Sequence, residues 1–184
     1  MKVLLHTCCA PCLIHPLERL KECGFQVSAL FYNPNIHPLA EYKKRKEALE
    51  LFSGMNPVEV FYPRYSPAEF FQAVNLVEEK PQRCPVCWFL RLNRSAEFAK
   101  TEGFDAFTTT LLASPYQDQL ALKRIGFDIS KDKGIEFFYE DFRPGFKRAH
   151  SLARENKLYC QNYCGCVYSM KPRRTERSER KSAG

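Results

Sequence analysis

No stretch of this 184-residue sequence is apolar for long enough to cross a membrane, and nothing at its start resembles an export signal. A membrane-spanning helix needs about 18 or more consecutive apolar residues. The opening residues, Met1 to His6, offer one lysine and three apolar side chains, too few for the hydrophobic region of a signal peptide. We therefore predict a cytoplasmic protein without a membrane anchor.

Glycine is also scarce, with 8 residues, and no internal repeat or low-complexity segment precedes the carboxyl-terminal end. Aromatic residues are plentiful, and a chain of this size can bury a sizeable core as one domain. We predict one α/β catalytic domain over residues 1–170 and a basic tail over residues 171–184, interpreted as a frayed, solvated segment. The formal charge of +7 favours a polyanionic partner.

Short apolar runs alternate along the chain with segments of helical periodicity, which is typical of an α/β protein. This pattern predicts a mainly parallel sheet with helices on both faces and right-handed crossovers. We also predict a polar loop over residues 78–85, a helix with Phe89 on its buried face, and a helix over 116–125 that ends at Gly126. The predicted strands cover residues 3–5, 27–32, 58–62, 106–110 and 136–139, and a last helix covers residues 143–156.

Ligands of such sheets bind beyond the carboxyl ends of the strands, and the loop after the first predicted strand carries three cysteines. Nine cysteines occur in all, and an odd number suits complete disulfide pairing poorly. Cytosolic thiols are kept reduced, so clustered cysteines there more often bind metal or carry redox chemistry. Cys23 is interpreted as a small core residue and Cys160 has no assigned role. The other seven form three groups: Cys8, Cys9 and Cys12, then Cys84 and Cys87, then Cys164 and Cys166.

The thiols alone do not determine which metal is bound, since soft ligands select zinc, copper(I) or iron–sulfur clusters. Two structural zinc sites would need an eighth ligand, which His6 could supply, although a histidine beside a strand end is more often structural. A [4Fe–4S] cluster needs three or four thiolates and would leave the others for a second metal. For Cys84 and Cys87 alone, zinc or a redox dithiol is at least as good an interpretation. The complete set favours iron–sulfur over zinc.

Six motifs together resemble the QueH family of epoxyqueuosine reductases. They occur in the family's order over residues 1–170, and their combination is highly specific although each alone is weak. The motifs are His6-Thr7-Cys8-Cys9-Ala10-Pro11-Cys12, Arg83-Cys84-Pro85-Val86-Cys87, Thr108-Thr109-Thr110-Leu111, Ser114-Pro115-Tyr116-Gln117, Phe138-Tyr139-Glu140-Asp141-Phe142-Arg143 and Tyr163-Cys164-Gly165-Cys166-Val167-Tyr168-Ser169.

The resemblance implies an oxidoreductase that reduces epoxyqueuosine to queuosine in tRNA, the last step of queuosine biosynthesis. It implies a [4Fe–4S] cluster with an additional iron ion, an external electron donor, and a tRNA whose anticodon loop carries the modified base. The implied fold is the adenine-nucleotide α-hydrolase-like (HUP/PP-loop-like) α/β domain. The implied cofactor-binding residues are Cys8, Cys9, Cys84 and Cys87, within a metal-binding set of Cys8, Cys9, Cys12, Cys84, Cys87, Cys164 and Cys166.

Outside the thiol set, Asp141, Tyr116 and Arg143 are candidate catalytic residues. Asp141 is either a hard metal ligand or proton donor, or a surface carboxylate paired with Arg143. Tyr116, Gln117 and Arg143 are candidates to meet the unstacked base or its ribose, since RNA readers use aromatic and arginine faces. The basic run at residues 43–46 is either a phosphate track or a solvated helix face.

Two other functions stay open. An ATP-dependent tRNA sulfur-transferase of the same fold needs a glycine- and serine-rich phosphate loop after the first strand, where this chain carries cysteines. A zinc-stabilised RNA-binding module would use the cysteines only as structural ligands. Nucleotide binding would identify the first alternative, and a colourless metal site the second.

Overall fold

The computed structural model describes residues 1–170, in which five strands form one sheet. The strands are β1 (Lys2–His6), β2 (Gln26–Leu30), β3 (Glu59–Phe61), β4 (Ala106–Thr109) and β5 (Glu136–Phe137). Their order is β3-β2-β1-β4-β5, and every neighbouring pair is parallel. Val3, Leu4 and Leu5 of the central strand are fully buried, as expected for a parallel sheet covered on both faces.

The helices form two layers around this sheet. They are α1 (Ala10–Glu22), α2 (Leu39–Met55), α3 (Pro67–Val74), α4 (Arg83–Thr101), α5 (Gln119–Lys133) and α6 (Phe146–Glu155). α1 packs against α2 and α6, whereas α4 packs against α3 and α5. Right-handed crossovers that run in opposite directions from β1 put these two sets on opposite faces. The predicted α/β architecture with a parallel sheet is confirmed.

The strand order reverses beside β1, which opens a crevice between the carboxyl ends of β1 and β4. The last residue of β1, His6, pairs with Leu30 on one side and Thr109 on the other. From there one chain segment leaves β1 towards α1, while the other continues from β4 through Thr110. Doubly wound sheets bind ligands at such a switch point, so the loop after β1 occupies the favoured position for a site.

The helix predicted to end at Gly126 is longer than the sequence indicated. α5 continues to Lys133, and Gly134 ends it in the left-handed region with φ of 64°. Gly126 lies inside the helix, where a Cβ atom would stand 2.1 Å from a ring carbon of Phe137. The prediction was wrong because this glycine serves the close packing of α5 on β5 rather than a helix end.

Three further predictions fail at helix surfaces and ends. α4 begins at Arg83, so its first turn overlaps the predicted loop over residues 78–85. Pro85 is tolerated there because the amides of a first turn have no intrahelical acceptor. Phe89 is 52% exposed instead of facing the core. Cys23 is exposed at the end of α1 and is no core residue.

The last predicted helix, over residues 143–156, divides into a 3₁₀ turn at Arg143–Gly145 and α6. The predicted basic tail lies outside the part of the chain that the structure describes. Within residues 1–170, no helix combines the length and the apolar character that a membrane crossing requires.

Candidate metal centre

One cavity of about 1660 Å³ lies beyond the carboxyl edge of the sheet, and cysteines from three distant segments line it. The first segment follows β1, the second is the first turn of α4, and the third is the loop after α6. All nine cysteines of the chain are free thiols. The lining thiols are Cys8, Cys12, Cys84, Cys87, Cys164 and Cys166.

Cys9 is fully buried and completes a cluster with Cys8 and Cys12. The three sulfurs lie within 4.8 Å of one another, and those of Cys8 and Cys9 are 3.7 Å apart. Two thiolates bound tetrahedrally at about 2.3 Å stand roughly 3.8 Å apart, so this spacing suits three ligands of one metal ion. Cys9 is the N-cap of α1, and the change from strand to helix there brings the adjacent sulfurs to one centre.

The second thiol group combines Cys84 and Cys87 of α4 with Cys164 and Cys166 of the carboxyl-terminal loop. A negative charge on Cys164 acts electrostatically on both α4 thiols. Cys87 and Cys166 pack in the same small apolar cluster, and Cys164 Sγ lies at hydrogen-bond distance, 3.1 Å, from Ser169 Oγ. Four sulfurs therefore face the cavity from the side of α4 and this loop.

The loop of the third cysteine group turns at Gly165, whose φ of 109° lies in the left-handed region. A Cβ atom at this position would stand 2.9 Å from Ile36 Cγ1 and 3.3 Å from Arg45 Nη1. The Gly165 carbonyl accepts a hydrogen bond from the amide of His37 at 2.8 Å. Glycine alone combines this backbone with this close approach, and the loop is held against the connection from β2 to α2.

Arg45 does not belong to an exposed basic face of α2, as the run at residues 43–46 suggested. Its side chain is 1% exposed and pairs with Glu41 Oε1 at 2.7 Å. Its guanidinium also donates to the carbonyl oxygens of Tyr163 at 2.9 Å and Cys164 at 3.2 Å. Arg45 is therefore part of the wall that supports the second thiol group.

Arg91 is a second buried guanidinium, and it links the cavity to the end of β1. It donates to Asn33 Oδ1 at 2.9 Å and to His6 Nε2 at 3.3 Å. His6 Nδ1 lies 2.9 Å from Thr109 Oγ1. Burial and the nearby Arg91 lower the pKa of His6 to about 3, so the imidazole is neutral. The structural interpretation of His6 is the one that this geometry supports.

The cavity is electrostatically suited to anionic sulfur. Three buried arginines line it, namely Arg45, Arg83 and Arg91, whereas Glu41 is the sole buried carboxylate of residues 1–170. α1 and α4 both begin at the cavity, so the positive ends of two helix dipoles add to this field. Positive surroundings favour the thiolate form of cysteine, which is the form that binds metal.

Each thiol group contains one sulfur that loses its proton readily. Hydrogen bonds from Cys12 and Cys9 hold the pKa of the Cys8 thiol well below its ordinary value, and Arg91 and Arg45 add to the effect. A hydrogen bond from Cys166 likewise lowers the pKa of Cys164. Burial raises the pKa of Cys9, Cys84 and Cys87, that of Cys87 to about 11. Hydrogen bonds to Cys8 and Cys164 raise the pKa of Cys12 and Cys166, respectively. Loading the site with metal therefore has to displace protons.

The predicted residues outside the thiol set separate in space. Tyr116 lines the cavity and is 78% exposed, and Gln117 beside it accepts a hydrogen bond of 3.1 Å from Trp88 Nε1. Asp141 and Arg143 do not line the cavity, and their side chains pair with each other at 2.6 Å. The hydrogen bond from Arg143 lowers the pKa of Asp141. The surface-pair interpretation of Asp141 is the one that matches the geometry.

Several cavity residues escaped the sequence predictions. Gln161 donates to Cys12 Sγ at 3.4 Å, and Thr110 donates to Cys8 Sγ at 3.8 Å. His150, to which the sequence assigned no role, also lines the cavity. The position of Arg91 near the thiols could have been predicted, because it lies four residues after Cys87 on the same helix face. Thr110 and His150 lie far from the cysteines in sequence, and Gln161, although next to Cys160, contacts a cysteine 149 residues away. Only the fold produces these contacts.

Comparisons with known proteins agree with this site. The family model described as "Epoxyqueuosine reductase QueH" matches residues 3–172. Relatives of that name include one from Thermotoga maritima, 37% identical over 96% of this chain and 94% of its own length. Another, from Dehalococcoides mccartyi, is 36% identical over 91% of this chain and 92% of its own.

A solved structure supports the fold alone. It is described as a predicted subunit of tRNA methyltransferase from Methanocaldococcus jannaschii, with a TM-score of 0.56 and 14% identity, and the match covers 84% of this chain and 75% of that one. The family model and the relatives confirm the resemblance carried by the six motifs. The chain belongs to the QueH family of epoxyqueuosine reductases, which are oxidoreductases.

Proposed function

We propose that this protein reduces epoxyqueuosine to queuosine in tRNA, at an iron–sulfur centre and an additional iron ion held in the thiol-lined cavity. The observation that carries the proposal is the convergence of six thiols from three segments on one cavity walled by three buried arginines, with a seventh, Cys9, buried beside Cys8 and Cys12. Family membership supplies the substrate class.

The donor set fits two metal centres better than one. Seven thiols exceed a single tetrahedral site. Three of them, after β1, lie within 4.8 Å of one another, and the other four line the same cavity from α4 and the carboxyl-terminal loop. Three or four thiolates suffice for a [4Fe–4S] cluster. We assign the cluster to one group and the additional iron to the other. All-sulfur donors and buried arginines suit a centre that carries negative charge.

When bound, the metals would supply single electrons and a Lewis acid for the epoxide oxygen. The net reaction takes two electrons from an external donor and two protons, and it releases the oxygen as water. The protein's own residues would bind the metals and orient the substrate. Arg45 and Arg91 balance the charge of the thiolates, and Tyr116 and Gln117 stand where the substrate base would enter.

Anaerobic purification with iron and sulfide analysis tests the metal assignment, and an assay on tRNA carrying epoxyqueuosine with a strong reductant tests the reaction. We expect iron, acid-labile sulfide, visible absorption and an alkene product. A colourless zinc protein would favour the RNA-binding module, and tight ATP binding would favour the sulfur-transferase. A cluster-bearing protein that leaves the epoxide untouched would refute the proposed activity.

A further inference from the structure

Three aromatic side chains of the cavity are joined by ring contacts through Phe146, and we call them the aromatic rim: Tyr116, Phe146 and His150. The rings of Tyr116 and Phe146 meet edge to face with centroids 6.0 Å apart, and those of Phe146 and His150 are 4.3 Å apart. All three residues line the cavity that the thiols line. Tyr116 is the outermost, with 78% of its surface exposed.

The rim continues along one face of α6 with positive charge. Lys147 and Arg154 are exposed and line the cavity on the same helix as Phe146 and His150. A neighbouring face of α6 is buried through Ala149 and Ala153, and α6 packs on α1. No carboxylate of α6 lines the cavity. This wall therefore offers ring faces and cations together.

Acidic residues of the cavity come from another segment of the chain. Glu78 and Glu79 line the cavity, and Lys80 and Arg83 beside them in the sequence balance their charge. Because α6 contributes Lys147 and Arg154 and no lining carboxylate, a phosphate backbone that entered the cavity would be attracted to α6. We therefore expect the phosphates to lie along α6 and the bases toward the rings.

The size of the cavity allows more than one nucleotide. Typical small-molecule sites measure about 300–1,000 Å³, whereas this cavity measures about 1660 Å³. Unpaired RNA bases bind proteins by stacking on aromatic side chains, and their phosphates bind lysine and arginine. We propose that the aromatic rim stacks an unpaired base that neighbours the modified nucleotide, while Lys147 and Arg154 bind the flanking phosphates. This inference rests on the proposed function, because it takes the substrate to be an RNA loop.

The test uses the anaerobically purified protein and a synthetic RNA hairpin with an unmodified anticodon-type loop, measured by fluorescence anisotropy. Tyr116→Ala should weaken binding by about tenfold or more, and Tyr116→Phe should restore it to within about twofold. Combining Lys147→Ala with Arg154→Ala should lower the salt slope of binding by about 1.4, or about 0.7 for each lost contact to a single strand. A fully paired RNA duplex should bind no differently to Tyr116→Ala and wild type.

Matched controls lie away from the cavity. Phe89→Ala removes an exposed ring of α4 that does not line the cavity, and Lys2→Ala with Lys131→Ala removes two exposed cations. Both controls should bind like wild type. The proposed role of the aromatic rim in base stacking would be wrong if Tyr116→Ala bound the hairpin with wild-type affinity, or if the wild type did not bind the hairpin. Rim-dependent hairpin binding without epoxide reduction would instead refute the proposed function alone.

Discussion

Arg45 and Cys164 are 119 residues apart in the sequence, yet the guanidinium of Arg45 donates a hydrogen bond of 3.2 Å to the carbonyl oxygen of Cys164. Glu41 holds the other edge of that guanidinium at 2.7 Å, and the Tyr159 hydroxyl donates to the second oxygen of Glu41 at 2.6 Å. The loop is thus fastened to α2 through its main chain. The thiol of Cys164 remains directed to the cavity.

Replacing Arg45 should lower the free energy of unfolding far more than replacing Lys46, its neighbour on the same helix. Arg45→Gln leaves Glu41 buried without a charged partner, and breaking a buried pair from one side costs about 3–5 kcal/mol. Lys46 pairs with Glu50 at 3.3 Å in solvent, so Lys46→Gln should cost less than about 1 kcal/mol. Urea unfolding at equal metal loading measures both. Equal losses would contradict a buried role for Arg45.

Removing one thiol from either group should empty the centre but keep the fold. Cys9→Ala removes a buried sulfur from the group after β1, Cys87→Ala removes one from the group on α4 and the carboxyl-terminal loop, and we expect both variants to lose iron and activity. Cys23→Ala alters an exposed thiol outside the cavity and should retain wild-type iron. Iron analysis with far-ultraviolet circular dichroism separates metal loss from unfolding. Unchanged iron in both cavity variants would contradict the assignment.

Gly165→Ala should disrupt the third cysteine group more than its backbone strain alone explains. The added Cβ would meet Ile36 at 2.9 Å, at a φ of 109°. Gly24→Ala is the matched control, since its φ is 77° and nothing lies within 4 Å of the added atom. We expect both to lose about 1–3 kcal/mol of stability from strain, with iron lost only from Gly165→Ala. Full iron in Gly165→Ala would show that the close approach does not matter.

His6 should make stability fall in mild acid. Burial and Arg91 lower its pKa to about 3 in the folded state, whereas the unfolded imidazole binds a proton below about pH 6.5. The unfolded state then holds more protons, so the stability present above pH 6.5 declines as the pH falls toward 3. Between about pH 7 and 5 the wild type should lose about 2 kcal/mol more than His6→Gln. Parallel pH slopes for the two proteins would contradict a neutral buried His6.

The cysteine spacing and the alternation of apolar runs were enough to predict the parallel sheet and a thiol-rich loop at the end of β1. Both follow from local features, since strand and helix periods and the soft chemistry of sulfur need no knowledge of the fold. The predictions that failed concern residue types that occur in two different environments. Gly126 is a residue type that commonly ends helices, but the ring of Phe137 on β5 packs directly against it inside α5. Phe89 has an apolar side chain but faces solvent.

The sequence by itself determined the fold class and the family and predicted metal binding by thiols, because these depend on residue type and order. Only the tertiary structure decided which side chains surround the thiols. Arg45 looks like a member of an exposed basic run, yet it is buried against Cys164. The sequence left Asp141 open as a ligand, a proton donor or a partner of Arg143, and the structure pairs it with Arg143 outside the cavity. The physical reason is that burial and charge pairing depend on neighbours brought together from distant segments, and a linear pattern contains no distances between them.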